Sequence, residues 1–98
     1  MEGIDLSGAN LCRTILNSVC LDISNLRGAN LTDAILARAT FRGANLMDAD
    51  FTKACLMDAE IIKSNLTNAI FMGADIDGTL IEENIYQNTL WIDGTVRN

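Results

Sequence analysis

An all-β solenoid is the fold class this 98-residue sequence predicts, with the chain turning a corner every five residues and stacking on itself every twenty. Counted from Leu6 in steps of five, every position as far as Val96 is apolar. Two residues before those centres stands a small residue: Ala29, Ala34, Ala39, Ala44, Ala49, Ala54, Ala59, Ser64, Ala69 and Ala74. A third observation is independent of the core: opposite charges recur twenty apart, as at Asp22 and Arg42 or Arg38 and Asp58.

A five-residue step suits neither regular element. On an α-helix it advances about 140° beyond a full turn, which scatters the leucines around the axis. On a straight strand an odd step sends alternate leucines to opposite faces. A corner after each pentapeptide removes both conflicts, because every short side then points its central Leu or Phe inward with the small residue beside it. The alanines do not argue for helix: Asn, Asp, Thr and Gly recur too often, and no 3.6-residue stripe survives. Four sides close a coil of 20 residues, and stacked coils exchange backbone hydrogen bonds as parallel strands do.

Ala9-Asn10-Leu11, Ala29-Asn30-Leu31 and Ala44-Asn45-Leu46, with Ser24-Asn25-Leu26 and Ser64-Asn65-Leu66, carry a resemblance to the pentapeptide-repeat family. The match runs through essentially the whole chain without a slip of phase. The resemblance implies a right-handed quadrilateral parallel β-helix, four pentapeptides per coil and nearly five coils, with residues 1–98 as a single domain. It is specific for fold and weak for function, because the motif residues are the scaffold.

In chain order, the first coil is the least regular, with Thr14 and Val19 in alanine positions. The second and third are the cleanest: Leu31, Leu36, Phe41, Leu46, Phe51 and Leu56 fill the core. Alanine stands beside each because two bulky residues per side would overfill so narrow a tube. Corner positions hold Gly3, Gly8, Gly28, Gly43, Gly73 and Gly78, or Asp33, Asp48, Asp58, Asn68, Asn88, Asp93 and Asn98, which tolerate positive φ. Arg13, Ile23, Arg38, Lys53, Lys63 and Glu83 occupy the same place, so mixed turn geometry is expected. After Gly78 the alanines give way to Thr79, Asn84, Thr89 and Gly94 around Ile81, Tyr86, Trp91 and Val96, and Tyr86 and Trp91 are expected to help close the C-terminal end.

Residues twenty apart should form columns: Asn25, Asn45 and Asn65 with Asp5 below them, and outward Ile15 and Ile35 extended by Cys55. Complementary charges should face each other in Arg13, Asp33 and Lys53, in Asp22 and Arg42, in Arg38 and Asp58, in Lys63 and Glu83, and in Asp77 and Arg97. Each such exposed pair contributes at most about 1 kcal/mol.

With no histidine and with Cys12, Cys20 and Cys55 outside the inward register, the sequence offers neither a zinc site, nor a Cys/His pair, nor an expected disulfide. Asp48 and Asp50, or Asp75 and Asp77, pair carboxylates on a convex rod with nothing to exclude water or raise a pKa, so an enzyme is not expected. No cofactor is expected either. The acidic start and the absence of a long apolar run make the cytoplasm the default, with no membrane contact. The resemblance adds a bacterial origin, commonly cyanobacterial.

The net charge of −6 is carried entirely by residues 43–98, since four acids and four arginines cancel in residues 1–42. No basic stripe exists to bind DNA or RNA directly. What remains is a non-enzymatic structural or protein-interaction module, docking a protein or a second copy through a coil end by edge pairing. Ile70, Leu80, Ile85, Leu90 and Ile92 are the apolar candidates for that contact. The alternative comes from the resemblance, since some members of the family imitate duplex DNA and occupy the DNA-binding saddle of DNA gyrase. Its candidate surface is Asp48, Asp50, Asp58, Glu60, Asp75, Asp77, Glu82 and Glu83. Duplex DNA would present about 13 negative charges over the roughly 23 Å of such a rod, more than this chain offers.

Overall fold

The computed structural model describes residues 2–98 and joins backbone partners twenty residues apart, in parallel, along four ladders. The first runs through Asp5, Asn25, Asn45, Asn65 and Ile85, and the second through Asn10, Asn30, Asp50, Ile70 and Leu90. Ile15, Ile35, Cys55 and Asp75 make the third; Cys20, Thr40, Glu60 and Leu80 make the fourth. On the fourth the pairing lengthens into strands β1 (Thr40–Arg42), β2 (Glu60–Ile62) and β3 (Leu80–Glu82), a parallel sheet with Phe41, Ile61 and Ile81 in register.

Each 20-residue rung is fastened on both sides. The amide of an inward leucine donates to the next rung, as Leu26 does to Asn45 O at 2.8 Å and Leu46 to Asn65 O at 2.9 Å. The residue before it donates the other way, as Asn45 does to Ser24 O and Asn65 to Ala44 O. Leu21, Leu26, Leu31, Leu36, Phe41, Leu46, Phe51, Leu56, Ile61, Leu66 and Phe71 are fully buried, and the small residues beside them nearly so. Phe51, Phe71 and Trp91 stand one above another at the rung spacing, with ring centroids 4.8 and 5.2 Å apart. The asparagines stack as expected, but each spends its side chain locally: Oδ1 of Asn25, Asn45 and Asn65 accepts from the amide two residues on.

The expected mixture of corners appears in their hydrogen bonds but not in φ: the Ala44 and Ser64 amides, which would close the corners after Phe41 and Ile61, donate to the Ser64 and Asn84 side chains instead. Arg13, Ile23, Arg38, Lys53, Lys63 and Glu83 all adopt φ between 53 and 61°, beside glycines at 64 to 71°. In most corners the inward residue's carbonyl accepts from the amide three residues on, as Leu31 O does from Ala34 at 3.1 Å, and the third residue sits where a type II turn requires positive φ. Stacking imposes that backbone whatever the side chain. Ile23, β-branched and 67% exposed, is the most strained of these, since little burial offsets its unfavourable backbone.

The weakened pattern near the C-terminus has a structural use. Thr79, Asn84 and Thr89, standing in alanine positions, donate to the carbonyls of Leu56, Ile61 and Leu66 in the rung beneath. Ser64 does the same to Phe41 O at 2.8 Å. No buried side-chain nitrogen or oxygen among the described residues is left without a partner.

Beyond Trp91 the five-residue phase ends, a second departure from expectation. Gly94 at φ 85°, rather than Asp93, takes the left-handed position. The chain reverses, and β5 (Val96–Arg97) pairs antiparallel with β4 (Thr89–Leu90). Val96 is therefore 57% exposed instead of inward.

Two substitutions should move thermal stability in opposite directions. Ala54→Leu, at a site 1% exposed, is expected to cost about 1–3 kcal/mol through overpacking. Ile23→Gly is expected to gain roughly 0.5–1 kcal/mol by relieving the left-handed backbone. Melting curves for both variants that coincide with the parent would contradict this packing and this strain.

Candidate interaction surface

The apolar candidates lie where ladders run out. Leu80, Ile85 and Leu90 are the last parallel-paired members of the fourth, first and second ladders, which the chain visits consecutively. Leu80 and Ile85 are 43% and 58% exposed, whereas Leu90 is half-buried. Ile70 sits one rung below Leu90 on the same ladder. Ile92, two residues after Leu90, packs partly against the core, and its carbonyl accepts from Gly73 N–H in the rung beneath. The structure thus brings three of the five to one end of the stack and places Ile70 just behind them.

That end is covered on one ladder and open on another. Leu90 spends its N–H on Ala69 O and its carbonyl on Phe71 N–H, both in the rung beneath. The next amide, Trp91 N–H, turns outward and meets Thr95 O at 2.7 Å. Arg97 lies over the Trp91 ring with its guanidinium carbon 4.0 Å from the centroid, and over Tyr86 at 5.6 Å. Tyr86 meets Trp91 edge-on at 6.0 Å. The Asn98 side chain accepts from Asn88 N–H at 2.9 Å and from the Gln87 amide. The reversal is tied by Asp93, whose Oδ1 accepts from the Thr95 hydroxyl and amide; those bonds hold the carboxyl below the ordinary Asp range. By contrast β3 is an edge strand, with β2 on one side and no strand on the other among the described residues. Sequence reading missed this cover; its one signal was Gly94 standing where alanine had been the rule.

The acidic candidates divide. Glu60 and Glu82 lie in the strands of the fourth ladder, and the turns flanking it carry Asp58 and Asp77 on one side and Glu83 on the other. Asp75 ends the neighbouring third ladder. Asp50 lies on the second ladder, and Asp48 on the turn leading to it, two ladders away. Two of the eight are neutralised: Asp48 by Arg27 at 3.4 Å, and Glu60 by a short contact with Arg42. Asp50 binds its own turn through Thr52, and Asp75 accepts from Asp77 N–H.

Of the charge columns read from the sequence, Asp22 and Arg42 form an ion pair, at 3.8 Å. The columns of Arg13 with Asp33 and Lys53, of Arg38 with Asp58 and of Lys63 with Glu83 make no ion pair among the described residues, and Asp77 makes none with Arg97, which the reversal carries over Trp91. Exposed long side chains gain too little in water to be held to one partner. Arg38 instead reaches Ser18 Oγ at 3.3 Å.

Cys12, Cys20 and Cys55 carry free thiols. Glu2, Cys20 and Asp22 bring potential ligand atoms within 4.8 Å of one another, but Asp22 is already engaged by the Arg42 amide and guanidinium. No cavity opens among the described residues, and no helix is long and apolar enough to cross a membrane.

Burial pushes the Asp22 carboxyl up, yet the Arg42 amide, the Thr40 and Cys20 side chains and the Arg42 charge together hold it below the ordinary Asp value. The unfolded chain then binds this proton more readily than the folded one. The stabilisation is fully present above the ordinary Asp range, about pH 4, and is lost as pH falls through the lowered folded value. Urea midpoints should show the parent above Asp22→Asn at neutral pH, with the gap closing below about pH 4. A gap independent of pH would contradict this role.

A profile of the family described as pentapeptide repeats matches residues 24–61, in eight copies. No curated protein matches the sequence. Among solved structures, QnrB1, a plasmid-mediated fluoroquinolone resistance protein, superposes with a TM-score of 0.83 at 21% identity over 90% of this chain. This chain spans 45% of that protein's length, and the likeness shows the fold. HetL, involved in heterocyst differentiation regulation in the cyanobacterium Nostoc sp. strain PCC 7120, is 25% identical over 95% of this chain and 53% of its own, with a TM-score of 0.36. Rfr23 from the cyanobacterium Cyanothece 51142 is 22% identical over 92% of this chain and 89% of its own, with a TM-score of 0.37.

Proposed function

This chain belongs to the pentapeptide-repeat family, and on that premise we propose that it is a non-enzymatic protein-interaction module. Its four ladders are the four faces of a right-handed quadrilateral parallel β-helix, with residues 1–98 as one unit whose C-terminal end Tyr86 and Trp91 help to close. It works in the cytoplasm of a bacterium. The observation that carries the reading is the run of apolar ladder ends: Leu80 and Ile85 are exposed at the ends of consecutive ladders, with Leu90 ending the ladder after them and Ile70 one rung below it. Their burial against a partner would remove apolar surface from water at about 25 cal/mol per Å². Cross-linking in a bacterial lysate is expected to give a client band with the parent that is lost with Ile85→Ser/Leu90→Ser. An identical pattern from both proteins would contradict the assignment.

A more specific reading has the acidic side occupy the DNA-binding saddle of DNA gyrase. The likeness to a fluoroquinolone resistance protein favours it over an undirected module. Further support comes from the gathering around the fourth ladder of Asp58, Asp77, Glu82 and Glu83, which make no ion pair among the described residues. Asp48 and Asp50, two ladders away, fall outside that surface. In a supercoiling assay the chain is expected to alter gyrase activity, and Asp77→Asn/Glu82→Gln/Glu83→Gln to weaken the effect at least tenfold. Unchanged supercoiling across a broad range of concentration would reject this reading.

A further inference from the structure

We infer that the side of the stack along the third ladder, away from both ends, is a self-complementary face on which a second copy lies side by side with its rungs level. Ile15, Ile35 and Cys55 run up the middle of that face, one per rung. Ile15 is 72% exposed, more than any other large apolar side chain among the described residues, and Ile35 beside it is 40% exposed. The turn entering the face carries Arg13, Asp33 and Lys53 in successive rungs, and the turn leaving it carries Ser18, Arg38 and Asp58. Asp33, Arg38, Lys53 and Asp58 make no ion pair among the described residues, and Arg38 reaches Ser18 Oγ. An apolar stripe is thus bordered on both sides by charges with no opposite charge at pairing distance in their own chain.

That pattern fits a twofold axis running along the stack, which swaps the two borders and keeps each rung level with its counterpart. Ile15 then meets Ile15 and Ile35 meets Ile35, which removes the stripe from water. At the borders Asp33 comes opposite Arg38 and Lys53 opposite Asp58, each twice, while Arg13 faces the neutral Ser18. The like-charged contact is Asp75 with its own counterpart, one rung beyond the stripe. A twofold axis across the stack, between the rungs of Ile35 and Cys55, would also oppose unlike charges, Asp33 with Lys53 and Arg38 with Asp58. It would set Ile15 against Asp75, so the apolar stripe selects the axis along the stack. Exposed pairs of this kind set register more than affinity. A face about 20 Å wide and four rungs tall buries on the order of 800 Å² over both copies, less than a standard interface, so the pair is weak and reversible.

Sedimentation velocity of the full chain from micromolar to millimolar concentration tests this, with far-UV circular dichroism confirming that each variant keeps the fold. The parent is expected to pass reversibly from monomer to dimer, less readily at high salt, because more unlike than like charges meet. Ile15→Ser/Ile35→Ser should weaken the dimer at least tenfold, whereas Ile85→Ser/Leu90→Ser, at the C-terminal end, should leave it unchanged. Asp33→Arg and Arg38→Asp should each weaken it, and an equimolar mixture of these two should pair as tightly as the parent, since the two changes then face each other. A mixture no tighter than either variant alone would overturn the inference, for that is the result of an axis across the stack. So would a parent monomeric throughout, or a dimer lost with Ile85→Ser/Leu90→Ser and kept with Ile15→Ser/Ile35→Ser.

Discussion

Every feature of this molecule depends on one backbone constraint: twenty residues must bring the chain back into hydrogen-bonding register with itself. The inward leucine sends its amide forward to the next rung and its neighbour sends one back, so both sides of a rung are fastened by the same few residues. Registry on all four ladders then leaves each pentapeptide no choice but to turn with a left-handed residue. The cost of that backbone is spread over many corners, including those held by Arg13, Lys53 and Ile23, and is met collectively by the buried column of leucines and phenylalanines. Because each rung contacts chiefly its neighbours, stability accumulates along the stack and the ends are its vulnerable parts.

Most of the scaffold was legible because its determinants are local in sequence and strictly periodic. Leu26, Leu46 and Leu66 announce both the inward side and the ladder spacing, and the alanines beside them announce the narrow core. The corners were less legible: the residue type at Arg13 or Glu83 carries no preference for positive φ, and only the hydrogen bonds between rungs impose it. The reversal after Trp91 was hidden for a related reason. Val96 keeps the apolar phase by coincidence, whereas the decisive residue is Gly94, whose freedom to take φ 85° lets the chain fold back. Charge pairing was least legible, since a column fixes which residues are neighbours but not where long exposed side chains rest; Arg27 finds Asp48 and Arg42 finds Glu60 across rather than along the columns.

The same economy leaves the interior of the stack without a site. A core of one bulky and one small residue per side has no room for a pocket, so chemistry is confined to outward positions and to the ends. The outward positions of the later rungs gather carboxylates around the fourth ladder, while the last rung turns three ladders apolar in succession. Thr79, Asn84 and Thr89 tie that rung to the one below, so the end is built rather than frayed. The short antiparallel strand lies across part of that end.

Scalar couplings transmitted through hydrogen bonds test the register most directly. Nitrogen-to-carbonyl couplings are expected from Leu26 to Asn45, from Leu46 to Asn65 and from Leu66 to Ile85, each a step of nineteen residues. Couplings from these amides to carbonyls four residues earlier, or none at that long step, would contradict the account.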